Sequence, residues 1–420
     1  MTNTELDKLK DHQVDHLFLL IGENPLPNYV AAHLLLNKGG TPYLVHTTGT
    51  TDKSVKSGTS EQANHLAEVL KKDLPGCSPP KLVSIEDHES DGFQIRDRIE
   101  RWAKPLKGRL GLNYTGGTKA MAVHAYQALL NMKKADTVFS YLDPRRLKMR
   151  IDELVDDGIP INADNLQVSL NTLFQIHGLT LAKPYKSKVI LPDVVQVISQ
   201  NYNEWGNWVH KNLSSQVRKE DGRKWKSKTE LQKVKLEFKE LPTEITNMFD
   251  TLKLIDAEGC LLVQELKKQG GFSDITDAFK WLEGIWLEYH VLQAVSDIAK
   301  ENSIGDYGLD FAIPLSGTKQ GFQFDIAFMR GYQLFAISCT TDNEPALCKS
   351  KLFEASIRAQ QMGGSEARVA LMCCFDDPDS LKSELASLLG ENQVTVFGRE
   401  HLDDLPRAIS QWIKDQGGKS

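Results

Sequence analysis

Two carboxylates in the last third of this 420-residue sequence stand where acids are costly. Glu288 belongs to DAFKWLEGIWLEYHVLQAV, which is apolar nearly all round and is therefore predicted to be a buried helix. Trp281, Ile285 and Leu292 lie at helical spacings from it and put its carboxylate on the packed face. A buried carboxylate needs a partner or a metal. The hairpin GFQFDIAFMRGYQLFAISCTT follows, and in it Asp325 and Ser338, thirteen residues apart, can meet on paired strands. Two acids holding Mg2+ or Mn2+, with a third group to orient water, are what metal-assisted hydrolysis of a phosphodiester requires. Glu288 and Asp325 are the candidate metal ligands.

The N-terminal third carries a different chemistry. GENPLPN (22–28), HTTGTT (46–51) and NYTGGTKA (113–120) each follow an apolar run. The last sets Thr115, Gly116, Gly117, Thr118 and Lys119 between a strand and an amphipathic helix, so that backbone N–H groups, two hydroxyls and an ammonium face one spot. That arrangement suits phosphate, although a glycine turn chosen for helix-strand packing alone would give the same letters. The Walker A spacing and GxGxxG are both absent, which argues against ATP hydrolysis and NAD binding.

These residues need a frame to hold them. HLFLLIG (16–22), PYLVHTT (42–48), KLVSIED (81–87), RLGLNYT (109–115) and TVFSYLD (137–143) read as buried strands, with helices over 28–37, 60–73, 91–106 and 117–133. The alternation predicts a largely parallel, doubly wound α/β sheet whose strand C-termini carry the three loops, with MRIDELV (149–155) as an antiparallel edge. A mostly helical connector is expected over 156–270. From Gly271 a helix at 275–299, three strands between 309 and 340, a helix at 345–361, a strand at 368–375, a helix at 378–390, a strand at 394–398 and a helix at 403–415 form a second α/β unit. The division expected is 1–155, 156–270 and 271–420.

Hydrophobic residues make up 40% and charged residues 25% of the chain, with a net charge of −6, so a nucleic-acid surface must be local. Residues 211–240 supply one, with ten Lys/Arg against five Asp/Glu and Trp205, Trp208 and Trp225 interleaved or close by. Cations among aromatic faces suit a single strand; a solvated basic helix with inward tryptophans is the plainer alternative. Six cysteines without metal spacing, a charged N-terminus and no run of about 20 apolar residues predict a reduced, cytoplasmic protein with no membrane segment. The motifs of serine hydrolases, zinc proteases and zinc deaminases are absent. His177 and His290, each alone in an apolar segment, read as packed core residues.

LFLLIGENPLPNYVA and NYTGGTKAM together resemble the CARF domain, the CRISPR-associated Rossmann-fold sensor of cyclic oligoadenylates, over about residues 12–155. The resemblance implies a homodimer that binds one two-fold-symmetric ring, cyclic tetra-adenylate, across its interface. On the matching positions Asn24, Pro25, Leu26 and Pro27 would form one wall and Thr47, Thr48, Gly49 and Thr50 another. Asn113 and Thr115 through Lys119 would hold phosphates. Lys119 is the only cation in the three loops, which fits a ring without phosphate monoesters.

Glu on the first helix, Asp on one strand and a short motif on the next resemble the PD-(D/E)xK nuclease fold, over about residues 271–415. The whole chain then looks like the CRISPR type III ancillary nucleases that join CARF to this restriction-endonuclease-like fold, in which the ring switches on cleavage of nucleic acid. Those enzymes usually end with E-x-K, whereas this chain reads Ser338-Cys339-Thr340. The family lets the lysine migrate to the following helix. Lys351 is the expected replacement, because Leu347, Cys348 and Ala355 place it on the inward face, and Lys349 is the second candidate. The resemblance then gives Glu288 and Asp325 the metal, Ser338 a weaker hydroxyl ligand favouring Mn2+, and Lys351 the water and the phosphate charge. A sensor with a silent nuclease fold and a ring nuclease that degrades the messenger are the alternatives.

Overall fold

Apolar runs alternating with amphipathic helices build the N-terminal sheet in the computed structural model of the chain, which describes residues 8–49, 58–132, 136–154, 158–219, 222, 224–313, 322–389 and 394–416. Its strands are β1 (Val14–Leu20), β2 (Leu36–His46), β3 (Lys81–Ser84), β4 (Leu110–Asn113), β5 (Val138–Asp143), β6 (Lys148–Ile151) and β7 (Ile159–Pro160), in the order β3-β2-β1-β4-β5-β6-β7. β1 to β5 pair in parallel. β6 is antiparallel to β5 as expected, but it is not the edge, because β7 pairs beyond it. Helices α1 (Leu26–Leu35), α2 (Ser60–Asp73), α3 (Gly92–Ala103) and α4 (Lys119–Asn131) make the crossovers. The order reverses around β1, and the loops after β1 and β4 flank that switch point, where open α/β sheets bind ligands.

The connector contains α5 (Leu170–Ile176), α6 (Pro192–Gln200), α7 (Tyr202–Trp208), a π-helical turn at Val209–Leu213, α8 (Ser214–Val217), α9 (Lys228–Leu231), α10 (Thr243–Thr251) and α11 (Val263–Gln269). The C-terminal unit follows with α12 (Ile275–Lys280), a second π-helical turn at Trp281–Ile285, α13 (Trp286–Ile298), then β8 (Ile304–Ile313), β9 (Phe322–Arg330) and β10 (Gln333–Thr340). α14 (Pro345–Gly363), β11 (Arg368–Cys373), α15 (Pro378–Leu389), β12 (Val394–Phe397) and α16 (Leu405–Gln416) complete it. Its sheet runs β12-β11-β10-β9-β8, antiparallel from β8 to β10 and parallel from β10 to β12.

Three cores organise these layers. An outer one packs α3 and α4 on the first sheet through Ile95, Ile99, Met121 and Ala125. A middle one runs from the other face of that sheet to the second sheet, so Leu17, Leu19, Leu173, Leu334, Leu371, Leu352 and Met362 belong to one apolar continuum. The far core joins the second sheet's other face to α13 and the connector. Trp205 and Trp208 are 1% and 3% exposed in that far core, so two of the three tryptophans near the basic segment are packing residues and present no face to a ligand. His177 and His290 are likewise committed, each ring within 2.9 Å of a backbone carbonyl, of Met362 and Leu402 respectively.

Candidate functional site

Two backbone approaches bring the loops after β1 and β4 together. A Cβ on Gly22 would stand 3.1 Å from the Gly117 nitrogen, and one on Gly116 would stand 2.2 Å from the Leu20 carbonyl oxygen, so only glycine permits this closeness. Gly117 adopts φ +73, open to glycine at little cost. Thr118 is the N-cap of α4: its hydroxyl accepts the Met121 N–H at 3.1 Å and donates to the Glu89 carbonyl at 2.8 Å. The first N–H groups of α4 therefore point out of the loop at the positive end of a helix. Thr118 and Lys119 are exposed, and so are Thr48 and Gly49, whereas Asn24, Pro27, Thr115, Gly116 and Gly117 are half-buried. Thr50 lies outside the described residues.

Other expected contacts are scaffold. Asn113 is fully buried; its amide donates to the Ser140 hydroxyl at 3.1 Å and its carbonyl accepts the Thr115 N–H at 3.3 Å. It shapes the loop and has no side-chain atom to give a phosphate, which corrects that expectation. Pro25 is the N-cap of α1 and Leu26 its first residue, both buried, and Thr47 is buried, exchanging hydrogen bonds with Thr59 at 3.0 and 3.2 Å.

The second constellation closes at the end of the C-terminal sheet. The β9–β10 pairing ends at Ile337↔Ile326, and just beyond it the Ser338 hydroxyl and Cys339 N–H both donate to Asp325 Oδ2, at 2.9 and 2.8 Å. Between the pairs Leu309↔Ile326 and Phe311↔Phe324 the strands change the core they serve, and Asp310 in that interval of β8 has φ 65. A left-handed aspartate costs about 1–3 kcal/mol and persists where its surroundings over-determine it. Lys183 and Lys186 hold its carboxylate at 2.6 and 3.1 Å. Nothing in the sequence pattern marks Asp310, because its role comes from a strand irregularity.

Lys351 reaches the same place from the other face of the sheet. The buried stripe of α14 is Cys348, Leu352, Ala355, Ala359 and Met362. Lys351 flanks this stripe and is solvent-accessible, and Leu347 is exposed, so the expected inward face is off by part of a turn. Its ammonium still arrives, donating to the Cys339 carbonyl at 2.8 Å. Lys349 turns away to Glu384 at 2.6 Å. Glu288, Cys339 and Lys351 line one groove of about 1090 Å³, with Tyr202, Arg218 and Trp225 on the connector side.

No family model and no curated protein matches this sequence. Solved structures do. VC1899 from Vibrio cholerae superposes with a TM-score of 0.69 at 17% identity, covering 96% of this chain and 99% of that one. Can2 from Sulfobacillus thermosulfidooxidans, in complex with cyclic tetra-adenylate, gives 0.65 at 15% identity, covering 95% and 99%. A type III CRISPR defence DNA nuclease activated by cyclic oligoadenylate gives 0.52 at 14% identity, covering 86% of this chain and 45% of that one. The chain shares the fold of these proteins.

In the C-terminal unit, burial first and the Asp325 charge second push Glu288 up to about 8. Two carboxylates confined this way favour a hard cation. Among the described residues no cluster of three or more His, Cys, Asp or Glu is arranged for a metal, so the donors available are two carboxylates, the Ser338 hydroxyl and a backbone carbonyl. That oxygen set fits Mg2+ or Mn2+, which commonly takes one or two carboxylates and keeps its waters.

A cation held by Glu288 would have to displace a proton. Below about pH 8 the proton must leave before a cation binds, so affinity for Mg2+ should rise about tenfold per pH unit up to that point. Without metal the raised carboxyl binds more protons folded than unfolded, so its contribution favours folding at low pH and is lost as pH rises towards 8. The gain in Tm on adding Mg2+ is therefore expected to be larger at pH 8.5 than at pH 6.5, and absent at both in Glu288→Gln. A pH-independent gain would place the cation elsewhere.

Proposed function

We propose that this protein is a nuclease that cleaves DNA, RNA or both with Mg2+ or Mn2+ when a homodimer binds cyclic tetra-adenylate, acting in type III CRISPR antiviral defence. The observation that carries this reading is the convergence of groups on β9 and β10 from both faces of the sheet: Ser338 and the Cys339 N–H close on Asp325, Lys351 reaches the Cys339 carbonyl, and Glu288, whose carboxyl feels the Asp325 charge, lines the groove with Cys339 and Lys351. Glu288 and Asp325 would hold the cation, which supplies Lewis-acid polarisation of the phosphate and an activated water. Lys351 would offset charge gathering on the scissile phosphate. Ser338, fixed by its bond to Asp325, would orient that carboxylate and share the ion's coordination.

The N-terminal loops supply backbone donors and hydroxyls with one ammonium, a set matched to a ring of phosphodiesters. α3 and α4 lie side by side on the outer face and expose Phe93 (67%), Val123 (52%) and Leu130 (54%), a surface suited to a second copy. Pairing through α4 would bring two copies of the Thr115–Lys119 loop to one axis and one ring. Among the described residues no helix is long and apolar enough to cross a membrane.

Sensor and nuclease would be coupled through α14. Its C-terminal end meets the β1–α1 loop, where Gly364 faces Asn24, and its second turn carries Lys351. Activation follows only if the ring binds the cutting arrangement better than the resting one.

A second reading, a ring sensor with a silent nuclease fold, is favoured by one observation: the acid and lysine usual on β10 are replaced by Ser338 and Thr340. Incubating supercoiled plasmid, single-stranded DNA and RNA with Mg2+ or Mn2+, with and without cyclic tetra-adenylate, separates the two. Ring-dependent cutting is expected. Ring binding without cutting under either cation would install the silent sensor, and loss of the ring itself, read by chromatography, would move the chemistry to the N-terminal loops.

A further inference from the structure

Residues 217–219 pair with residues 224–226 as two short arms at the edge of the cleavage groove. The Lys219 N–H donates to the Lys224 carbonyl at 2.8 Å and the Lys226 N–H to the Val217 carbonyl at 2.9 Å, with Arg218 bridged to Trp225 between them. Gly222, between the arms, has φ +65. Glu220, Asp221 and Arg223 lie outside the described residues. The first arm is bolted to the nuclease-like unit: Arg218 Nε donates to Glu283 Oε1 at 3.1 Å, its terminal Nη2 donates to Glu283 Oε2, and the Ser214 hydroxyl joins them at 3.3 Å. Glu283 sits in the π-helical turn that leads into α13 and hence to Glu288, and π turns recur at functional sites.

On this anchored guanidinium rests an aromatic ring. The Arg218 guanidinium carbon lies 4.0 Å from the centre of the Trp225 ring. Unlike Trp205 and Trp208, Trp225 is only half-buried, and it lines the same groove as Glu288 and Lys351. Lys219 and Lys224 are exposed on the two arms. A flat, pre-positioned indole beside backbone-binding cations is how proteins hold unpaired bases, because every base has a π face and a duplex keeps that face covered by its neighbours.

We infer that Trp225 is a base-stacking platform, held by the Arg218–Glu283 pair, that selects an unpaired nucleotide at the cleavage groove. This rests on the nuclease reading and adds to it which strands are taken. A nucleotide stacked there would be gripped through its base while Lys219 and Lys224 engage its backbone. Paired nucleotides would meet only the cations.

The test uses the full chain with cyclic tetra-adenylate, in an Asp325→Asn background that cannot cut. A fluorescein-labelled single strand and the duplex of the same sequence are titrated, and 2-aminopurine in the single strand reports stacking by quenching. Trp225→Ala is expected to weaken single-strand binding roughly tenfold or more and abolish the quenching, with duplex affinity changed less than about twofold. Trp225→Phe should restore most of both, which a merely structural loss would not do. Equal losses for single strand and duplex, or quenching that survives in Trp225→Ala, would overturn the platform. If the unsubstituted chain cuts nucleic acid while Trp225→Ala binds single strands normally, the platform alone fails. If it neither binds nor cuts, the nuclease reading fails with it.

Discussion

An Asp325→Asn variant is expected to lose ring-stimulated, metal-dependent cleavage by on the order of 10^3-fold, several kcal/mol of transition-state stabilisation. Asparagine suits the test because its carbonyl oxygen can still accept the Ser338 hydroxyl and the Cys339 N–H that close on Asp325 Oδ2. The strand ends should therefore hold, and only the negative charge is removed. With it goes the second cause of the raised Glu288 carboxyl, so the remaining acid should ionise at lower pH while binding the cation less well. Ring affinity, set in the N-terminal loops, should stay within about twofold of the parent. Cleavage assays with Mn2+ and ring-binding calorimetry on one preparation check both halves. A variant that cuts within tenfold of the parent would show that the ion is not held by Asp325, and the assignment of β9 as the catalytic strand would fall.

The parts of this site that could be read in advance are those whose signal is local. A carboxylate within an apolar helix, or at a strand position facing a hydroxyl thirteen residues on, is costly enough to stand out in one dimension; Ser338 does bond Asp325, and the Asp325 charge is felt at Glu288. Glycines that let two loops touch are local too, and Gly116 and Gly117 stand where β1 and β4 need them. Side-chain direction is not local in this sense. Asn113 ends a strand beside the ligand loop, yet its amide turns inward to Ser140, and the same letter would serve either orientation. Lys351 illustrates an intermediate case: the helical spacing found the correct turn, and the length of the lysine stem carried the ammonium the rest of the way. Asp310, Glu283 with Arg218, and Gly364 against Asn24 are pairings across more than 60 residues, fixed only once two sheets share a core.

That last pairing sets the other large effect. Gly364 has φ 69 and ψ −153, a region essentially closed to residues with a Cβ. A Cβ there would stand 2.7 Å from Asn24 Nδ2 and 2.8 Å from Glu366 Oε2. Neither neighbour yields freely. Asn24 Oδ1 accepts the Leu26 N–H at 3.0 Å, which ties it to the start of α1. Glu366 is buried, its carboxyl pushed up to about 7 by that burial, and Gln333 on β10 donates to its carbonyl at 2.9 Å. From Gly364 the helix α14 runs back roughly 20 Å to Lys351, packed along the middle core. His177, held neutral by burial, bonds the Met362 carbonyl at 2.9 Å and so fixes the Gly364 end of the helix. Gly364→Ala should therefore displace the Asn24 loop, weaken cyclic tetra-adenylate binding about tenfold or more and raise the ring concentration for half-maximal cleavage by a similar factor. Removing the obstructing amide should reverse part of the loss, so Asn24→Ala combined with Gly364→Ala is expected to bind the ring better than the two single effects predict. Ring titrations and cleavage dose-responses on the four proteins of that cycle measure the coupling directly; strictly additive losses, or a Gly364→Ala response superimposed on the parent's, would mean that the ring's signal reaches Lys351 by a path that does not pass through this contact.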